Sequence, residues 1–219
     1  PTLGGPGLAD HGVAGFDCDQ NRVVLERGCG PLFVMKALAW RLRLTLALWS
    51  GRPEWVLACV NDWLQEQPDH PHALATSAHW LASTEDWEGA ARVFQRLLRL
   101  QPNVAAHRFN AGFVHQRLGR LTQAQTDFET ATQINPQLDR AWYGLGVVCI
   151  ALGNLKGAEQ ALRRTTELQP MGPLAWYQLA HLHRERGEHS QADVVLNHLR
   201  GFDPRVAQQV EREWAGQTA

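Results

Sequence analysis

The stretch from Asp139 to Gly172 reads DRAWYGLGVVCIALGNLKGAEQALRRTTELQPMG. Two helices are expected in it, Asp139 to about Ala151 and Leu155 to about Leu168. Gly153 and Asn154 break the chain between them, and Pro170 ends the second. On the first helix, Trp142, Leu145, Gly146 and Cys149 recur at three- and four-residue spacings and so form one stripe. Gly146 and Ala158 lack bulk, which lets the two helices approach closely while Trp142 and Leu162 fill the space on either side. The stretch therefore encodes a helical hairpin.

The pattern recurs along the chain. Pro68, Pro102, Pro136, Pro170 and Pro204 each follow the last by 34 residues, and Ala90, Ala124, Ala158 and Ala192 keep the same step. So do Gly119, Gly153 and Gly187, with Gly51 in phase and Glu85 as the exception. Trp142 and Trp176 are one step apart, and Trp40 lies three steps before Trp142. This arrangement resembles the tetratricopeptide repeat (TPR) family, whose template places Trp, Leu-Gly, Gly or Ala, Ala-x-x-x-Phe and Pro in that order. The resemblance covers about Ala37 to Val206 and implies an all-α fold, an α-solenoid of about five helical hairpins with a C-terminal capping helix. The repeats are expected at 37–70, 71–104, 105–138, 139–172 and 173–206, with the capping helix at 205–215. There are departures: His115, Cys149 and His183 stand where the family has Tyr, and Leu74 and Arg108 replace the first Trp. Leu44 and Val56 replace the small residues of the first repeat, which is expected to pack more loosely or against the N-terminal segment. A related family that reads RNA one base per repeat has a period one residue longer.

Charge also argues against nucleic acid. With 21 basic and 22 acidic residues the formal net charge is -1, so no global field draws the chain to a polyanion. The longest apolar run, Ala37 to Trp49, is interrupted by Arg41 and Arg43 and is too short to span a bilayer, so no membrane insertion is expected. Cys18, Cys29, Cys59 and Cys149 follow no metal-ligand spacing; Cys18 with Cys29 is the only plausible disulfide pair, and reduced thiols in a cytoplasmic protein are the plain reading.

Residues 1–30 are rich in Gly and Pro and read as an irregular tail or cap, in which Asn21 to Leu25 could lie extended across a groove. Helices are then expected at Leu32 to Trp49, Pro53 to Glu66, Pro71 to Ser83, Trp87 to Leu100, Ala105 to Leu118, Leu121 to Ile134, Pro173 to Arg186 and His189 to Arg200. Thr122 with Gln125 and Ser190 with Asp193 resemble capping boxes. In the last segment, Arg205 to Trp214, Val206, Val210 and Trp214 share a face that would seal the exposed end of the stack.

The search for chemistry finds little. His70 and His72 flank Pro71, and His181 and His183 are two apart, which on a helix places them on different faces. No zinc-helix spacing, Gly-rich phosphate loop or Gly-x-Ser-x-Gly elbow occurs. No enzyme activity, cofactor or metal is expected.

What the resemblance does imply is a groove. In the TPR family the second, fifth, ninth and twelfth residues of each repeat line the concave side. Carried over, these are Leu38, Arg41, Thr45 and Leu48; His72, Ala75, His79 and Ala82; Ala106, Phe109, Phe113 and Gln116, with Arg117 adjacent; Arg140, Tyr143, Val147 and Ile150; and Leu174, Tyr177, His181 and Arg184. Phe109, Phe113, Tyr143 and Tyr177 then form an aromatic strip, and Arg41, Arg117, Arg140 and Arg184 place positive charge beside it with almost no acid present. Aromatic residues and Arg are the usual anchors of interfaces. The rings of Phe109 and Phe113 could instead fill gaps between helices. The Lys and Asn set of the chaperone-binding version of the family is absent. The expected function is therefore a protein-interaction module that holds a peptide or helix, apolar or aromatic with acidic groups, as scaffold or assembly factor. A non-catalytic repeat domain of a larger enzyme and a self-assembling structural protein are the alternatives, and the sequence is silent on oligomeric state.

Overall fold

A computed structural model describes residues 52–216 together with 39, 40, 42–47 and 49. The expectations placed on the N-terminal tail, the Cys18 and Cys29 pair and Arg41 lie outside these residues. The chain divides after Pro68 into two compact units, and the described residues of each are mostly helical.

In the first unit, helical residues 39, 40, 42–47 and 49 precede α1 (Pro53–Glu66). Pro53 opens α1, where its missing N–H costs nothing. Leu44 and Val56 are both buried where small residues were wanted. In the same unit the indoles of Trp40 and Trp63 lie parallel, with ring centroids 6.0 Å apart and planes 7° from parallel. The Trp40 Nε1 donates to Glu66 Oε2 at 3.4 Å.

The second unit contains α2 (Pro71–Ser83), α3 (Trp87–Leu100), α4 (Ala105–Arg117), α5 (Leu121–Ile134), α6 (Asp139–Ala151), α7 (Leu155–Leu168), α8 (Pro173–Glu185), α9 (His189–Phe202) and α10 (Pro204–Gly216). They pair in order as hairpins, and each second helix also packs on the first helix that follows. Consecutive first helices touch as well, α4 with α6, α6 with α8, and α8 with α10. The last helix thus takes the place that a further first helix would hold, and it buries Ala207, Val210 and Trp214. It runs from Pro204 to Gly216, slightly beyond the segment expected, and α9 continues to Phe202 through Gly201.

The hairpin contact works as the small residues imply. A Cβ added at Gly146 would lie 2.7 Å from Leu162 Cγ, and one at Gly112, a period earlier, 3.0 Å from the Phe128 ring. Gly144, whose role the sequence did not reveal, is the counterpart between hairpins, since its Cβ would meet Phe128 Cζ at 2.7 Å. The turns at Gly119, Gly153 and Gly187 use the left-handed region, with φ of 71°, 75° and 72°. Glu85 adopts the same conformation, φ 63°, without glycine's freedom.

Helix starts differ from expectation. The N-cap positions of α3, α5, α7 and α9 are Asp86, Arg120, Asn154 and Glu188. Asp86 Oδ1 accepts from the Gly89 N–H at 2.8 Å, and Asn154 Oδ1 accepts from the Gly157 N–H at 3.1 Å. Arg120 and Glu188 make no side-chain cap bond, and Thr122 and Ser190 already lie inside their helices, so the capping boxes do not form.

Candidate functional site

The first helices of the second unit carry sixteen of the expected groove positions. None is fully buried: Ala106, Phe113, Arg140 and Leu174 are exposed and the rest half-buried. Their neighbours Ala111, Val114, Ala141, Val148, Ala175, Leu179 and Leu182 are buried instead. The two stripes are separate because a helix turns about 100° per residue, so positions one apart face different ways. Of the expected groove positions, Leu38, Arg41 and Leu48 lie outside the described set.

Local packing divides the aromatic, His and Arg candidates of the second unit into three groups. His79 is half-buried beside Trp80, ring edge to face at 6.3 Å, and burial lowers its pKa. The second group lies on α4 and α6. Phe109 is half-buried and tilts against the core ring of Phe128 at 5.9 Å, so it also fills space between helices. Phe113 is 37% exposed and meets Trp87 edge to face at 6.1 Å. Arg117 also packs on Trp87, its guanidinium carbon 4.9 Å from the ring centre. Trp87 comes from a second helix and was not among the expected residues; its phase in the repeat gives no hint of the role. Tyr143 is half-buried, and its pKa is raised by burial, partly countered by a side-chain hydrogen bond with Gln178. Arg140 stands exposed at the start of α6.

The third group, on α8, is already engaged. The Tyr177 hydroxyl donates to Glu213 Oε2 at 2.7 Å, and His181 Nε2 lies 2.9 Å from the same oxygen. Arg184 covers the Trp214 ring at 4.7 Å. Glu213 and Trp214 both belong to α10, so the end helix presents an adjacent acid and aromatic ring to this face. The expectation of almost no acid beside the aromatic strip is corrected here: Glu213 reaches in from the capping helix, which counting residues on first helices alone could not show. Burial, and then the Glu213 carboxylate, push the Tyr177 phenol well up. His181 is lowered by burial although Glu213 opposes the shift. Burial would raise Glu213, but hydrogen bonds from Gln209 and Tyr177 and the nearby His181 leave it below the usual carboxylate range.

Elsewhere the hairpins carry polar clusters in their interiors. Asp127 is buried, with Arg108 Nη1 at 3.1 Å and His115 Nδ1 at 2.8 Å. Buried His183 meets Glu188 at 2.7 Å through Nδ1. Arg108 and His115 fill the positions of Trp142 and Cys149 one period later, so these two departures from the family template meet one buried carboxylate. Cys59 and Cys149 are free, buried thiols. Among the described residues no group of three or more His, Cys, Asp or Glu is placed to hold a metal, and no helix is long and apolar enough to cross a membrane.

Two models of the tetratricopeptide repeat match the chain, one over residues 78–141 and another over residues 116–175. A curated relative, anaphase-promoting complex subunit 3 of Schizosaccharomyces pombe, is 28% identical over 80 residues, which are 36% of this chain. The match spans only 12% of that protein. Among solved structures, MamA from Desulfovibrio magneticus RS-1 superposes with a TM-score of 0.70 at 23% identity, covering 81% of this chain and 96% of the other. YrrB, a TPR protein with an unusual peptide-binding site, gives 0.70 at 18% identity, covering 77% and 88%. PilW, a type IV pilus biogenesis factor, gives 0.65 at 21%, covering 82% and 91%. At these identities the likeness is one of fold. The unbroken 34-residue spacing, the ordered helix pairs and the two family matches together identify residues 78–175 as repeats of the tetratricopeptide family.

Proposed function

We propose that the chain is a protein-binding module whose first helices in the second unit form a peptide- or helix-binding groove, used in scaffolding or assembly. The observation that carries this reading is the two-faced character of those helices: a full stripe of sixteen positions is left unburied although it holds Phe109, Phe113, Tyr143, Val147 and Ile150. Rings kept half-open on a rigid backbone are what interface anchors require, because their area is lost to water only when a partner arrives. Arg140 at one end and Arg117 at the other set the charge preference, so the partner segment is apolar or aromatic with acidic groups. The family resemblance to repeat proteins with protein partners supports the same reading.

The test is capture of partners from the native organism by wild type and by variants. Phe113→Ala with Tyr143→Ala should weaken capture by about 2 kcal/mol or more, with unchanged circular dichroism. Charge reversal, Arg117→Glu with Arg140→Glu, should lower the association rate and flatten its salt dependence. Normal capture by the folded aromatic variant would remove this face as the binding site.

A further inference from the structure

The last helix departs from the repeat at one place. A further first helix would begin one period after Pro173, at Ala207, and α10 begins close by at Pro204. In that register Glu213 and Trp214 stand where the preceding first helices have Ala111-Gly112, Leu145-Gly146 and Leu179-Ala180. Those six residues are buried, and the second of each pair is small. In α10 a carboxylate replaces the apolar residue and an indole replaces the small one. Sealing the stack against water asks only for a polar outer face, which exposed Arg205, Gln208 and Arg212 already supply. Glu213 and Trp214 are directed instead onto the open stripe of α8.

This pair meets three of the four groove positions of α8. The Tyr177 hydroxyl donates to Glu213 Oε2 at 2.7 Å, Arg184 lies 4.7 Å over the Trp214 ring, and the His181 ring stands at 76° to that indole with centroids 6.2 Å apart. An acid beside an aromatic ring is the chemistry proposed above for the partner, and here the chain's own last helix supplies it. One period earlier Tyr143 meets the neutral Gln178 in place of a carboxylate. The hold on α10 is uneven. Towards its start the helix is fixed: Arg200 of α9 donates to Glu211 Oε1 through Nε and Nη2, at 2.8 and 2.6 Å, and Asp203 Oδ1 accepts from the Val206 N–H at 3.2 Å. At the last turn the fit is incomplete. Trp214 Nε1 is buried without a hydrogen-bond partner, and so is His181 Nε2, which lies 2.9 Å from Glu213 Oε2 at an angle that makes no hydrogen bond. Among the described residues four buried side-chain polar atoms are in that state, and two of the four meet at this contact. Burying such groups unpaired is unfavourable, so the last turn is the part of α10 that a better-matched segment displaces. We infer that Glu213 and Trp214 are a stand-in for the partner, occupying the α8 end of the groove until a helical segment that likewise carries an acidic residue next to an aromatic one displaces them. This rests on the groove reading above and adds to it the partner's signature and a closed resting state.

The probe is a fluorescent peptide with the sequence of Pro204–Gly216, titrated into the full chain. In wild type the attached α10 competes at high effective concentration, so the peptide should bind weakly. Glu213→Gln in the chain removes the charged acceptor from Tyr177, and the peptide should then bind about tenfold or more tightly, since a hydrogen bond to a charged group carries about that factor. Placed in the peptide, Glu213→Gln or Trp214→Ala should reverse the gain, and so should Tyr177→Phe in the Glu213→Gln chain. Should that chain not fold, amide exchange of wild type decides: excess peptide should speed it at residues 211–216 and leave α5 as it was. Equal binding by the two chains, binding indifferent to the peptide's own Glu and Trp, or exchange that the peptide does not change overturns the inference. The groove reading is tested apart from it. If Phe113→Ala with Tyr143→Ala weakens capture while the peptide fails, the groove stands and only the stand-in falls. If that double variant captures normally, the inference falls together with the groove.

Discussion

At the scale of single residues, the repeat is held by what is missing. Gly146 has no room for even one carbon, since an added Cβ would press on Leu162 Cγ at 2.7 Å, and Ala158 is fully buried on the facing helix. Gly146→Leu or Ala158→Leu should therefore destabilise the second unit by roughly 1 to 3 kcal/mol through overpacking, whereas Gln160→Leu, at an exposed position, should not. Equal melting temperatures for the three variants would show the contact to be misassigned. Glu85 is the opposite case. It holds a left-handed conformation, φ 63°, in the position where three other turns have glycine. Replacing it with Gly should remove strain and stabilise by up to about 1 kcal/mol, measurable by urea denaturation. Both residues were visible as phase relations in the sequence, Gly146 as a match and Glu85 as an exception. Gly144 was not, because its packing partner Phe128 lies on the preceding hairpin and no periodicity of its own helix exposes that contact.

At the scale of elements, helix bounds followed from Pro, Gly and apolar spacing, but capping chemistry did not. Asp86 and Asn154 cap because they stand just before the first turn, while Thr122 and Ser190 lie two residues past that position; that offset decides whether a hydroxyl can reach a free N–H. The end helix shows the same limit. Its apolar face was legible from Val206, Val210 and Trp214, whereas the grip of Glu213 on Tyr177 and His181 depends on two helices 36 and 32 residues apart meeting side by side. Two groups at this contact have lowered pKa values, and both act in one direction. Around His181 stand Glu213 of α10 and Arg184 and Glu185 of its own helix, and burial outweighs them. Acidification below about 6.5, the unfolded value, therefore costs stability at His181, and a further loss follows at Glu213 as pH falls below about 4.3 towards its lowered folded value. Amide exchange in α10 should accordingly speed up between pH 7.5 and pH 5 relative to α6. Trp214→Ala should release the same helix at roughly 3 kcal/mol. Exchange in α10 that matches α6 at both pH values in both proteins would show the helix to be locked rather than lightly held.

At the scale of the whole molecule, the period of 34 made the fold readable from end to end, because a repeat shows each structural requirement several times over. The groove was less readable. Sequence phase placed sixteen side chains on one open stripe, but it could not show that Tyr177, His181 and Arg184 are already met by α10, nor that Trp87 from another helix layer supports Phe113 and Arg117. The buried Asp127 has a consequence of another kind. Near-identical hairpins invite mistakes in order, since any second helix could pair with a first helix from the wrong repeat. If α5 closed on α6 in place of α4, Asp127 would face Trp142 and Cys149, which occupy the positions of Arg108 and His115 one period on. A carboxylate buried without its cation costs several kcal/mol. The trio of Asp127, Arg108 and His115 therefore works as an address: it marks one hairpin as non-interchangeable and lets a self-similar chain count its own repeats while it folds.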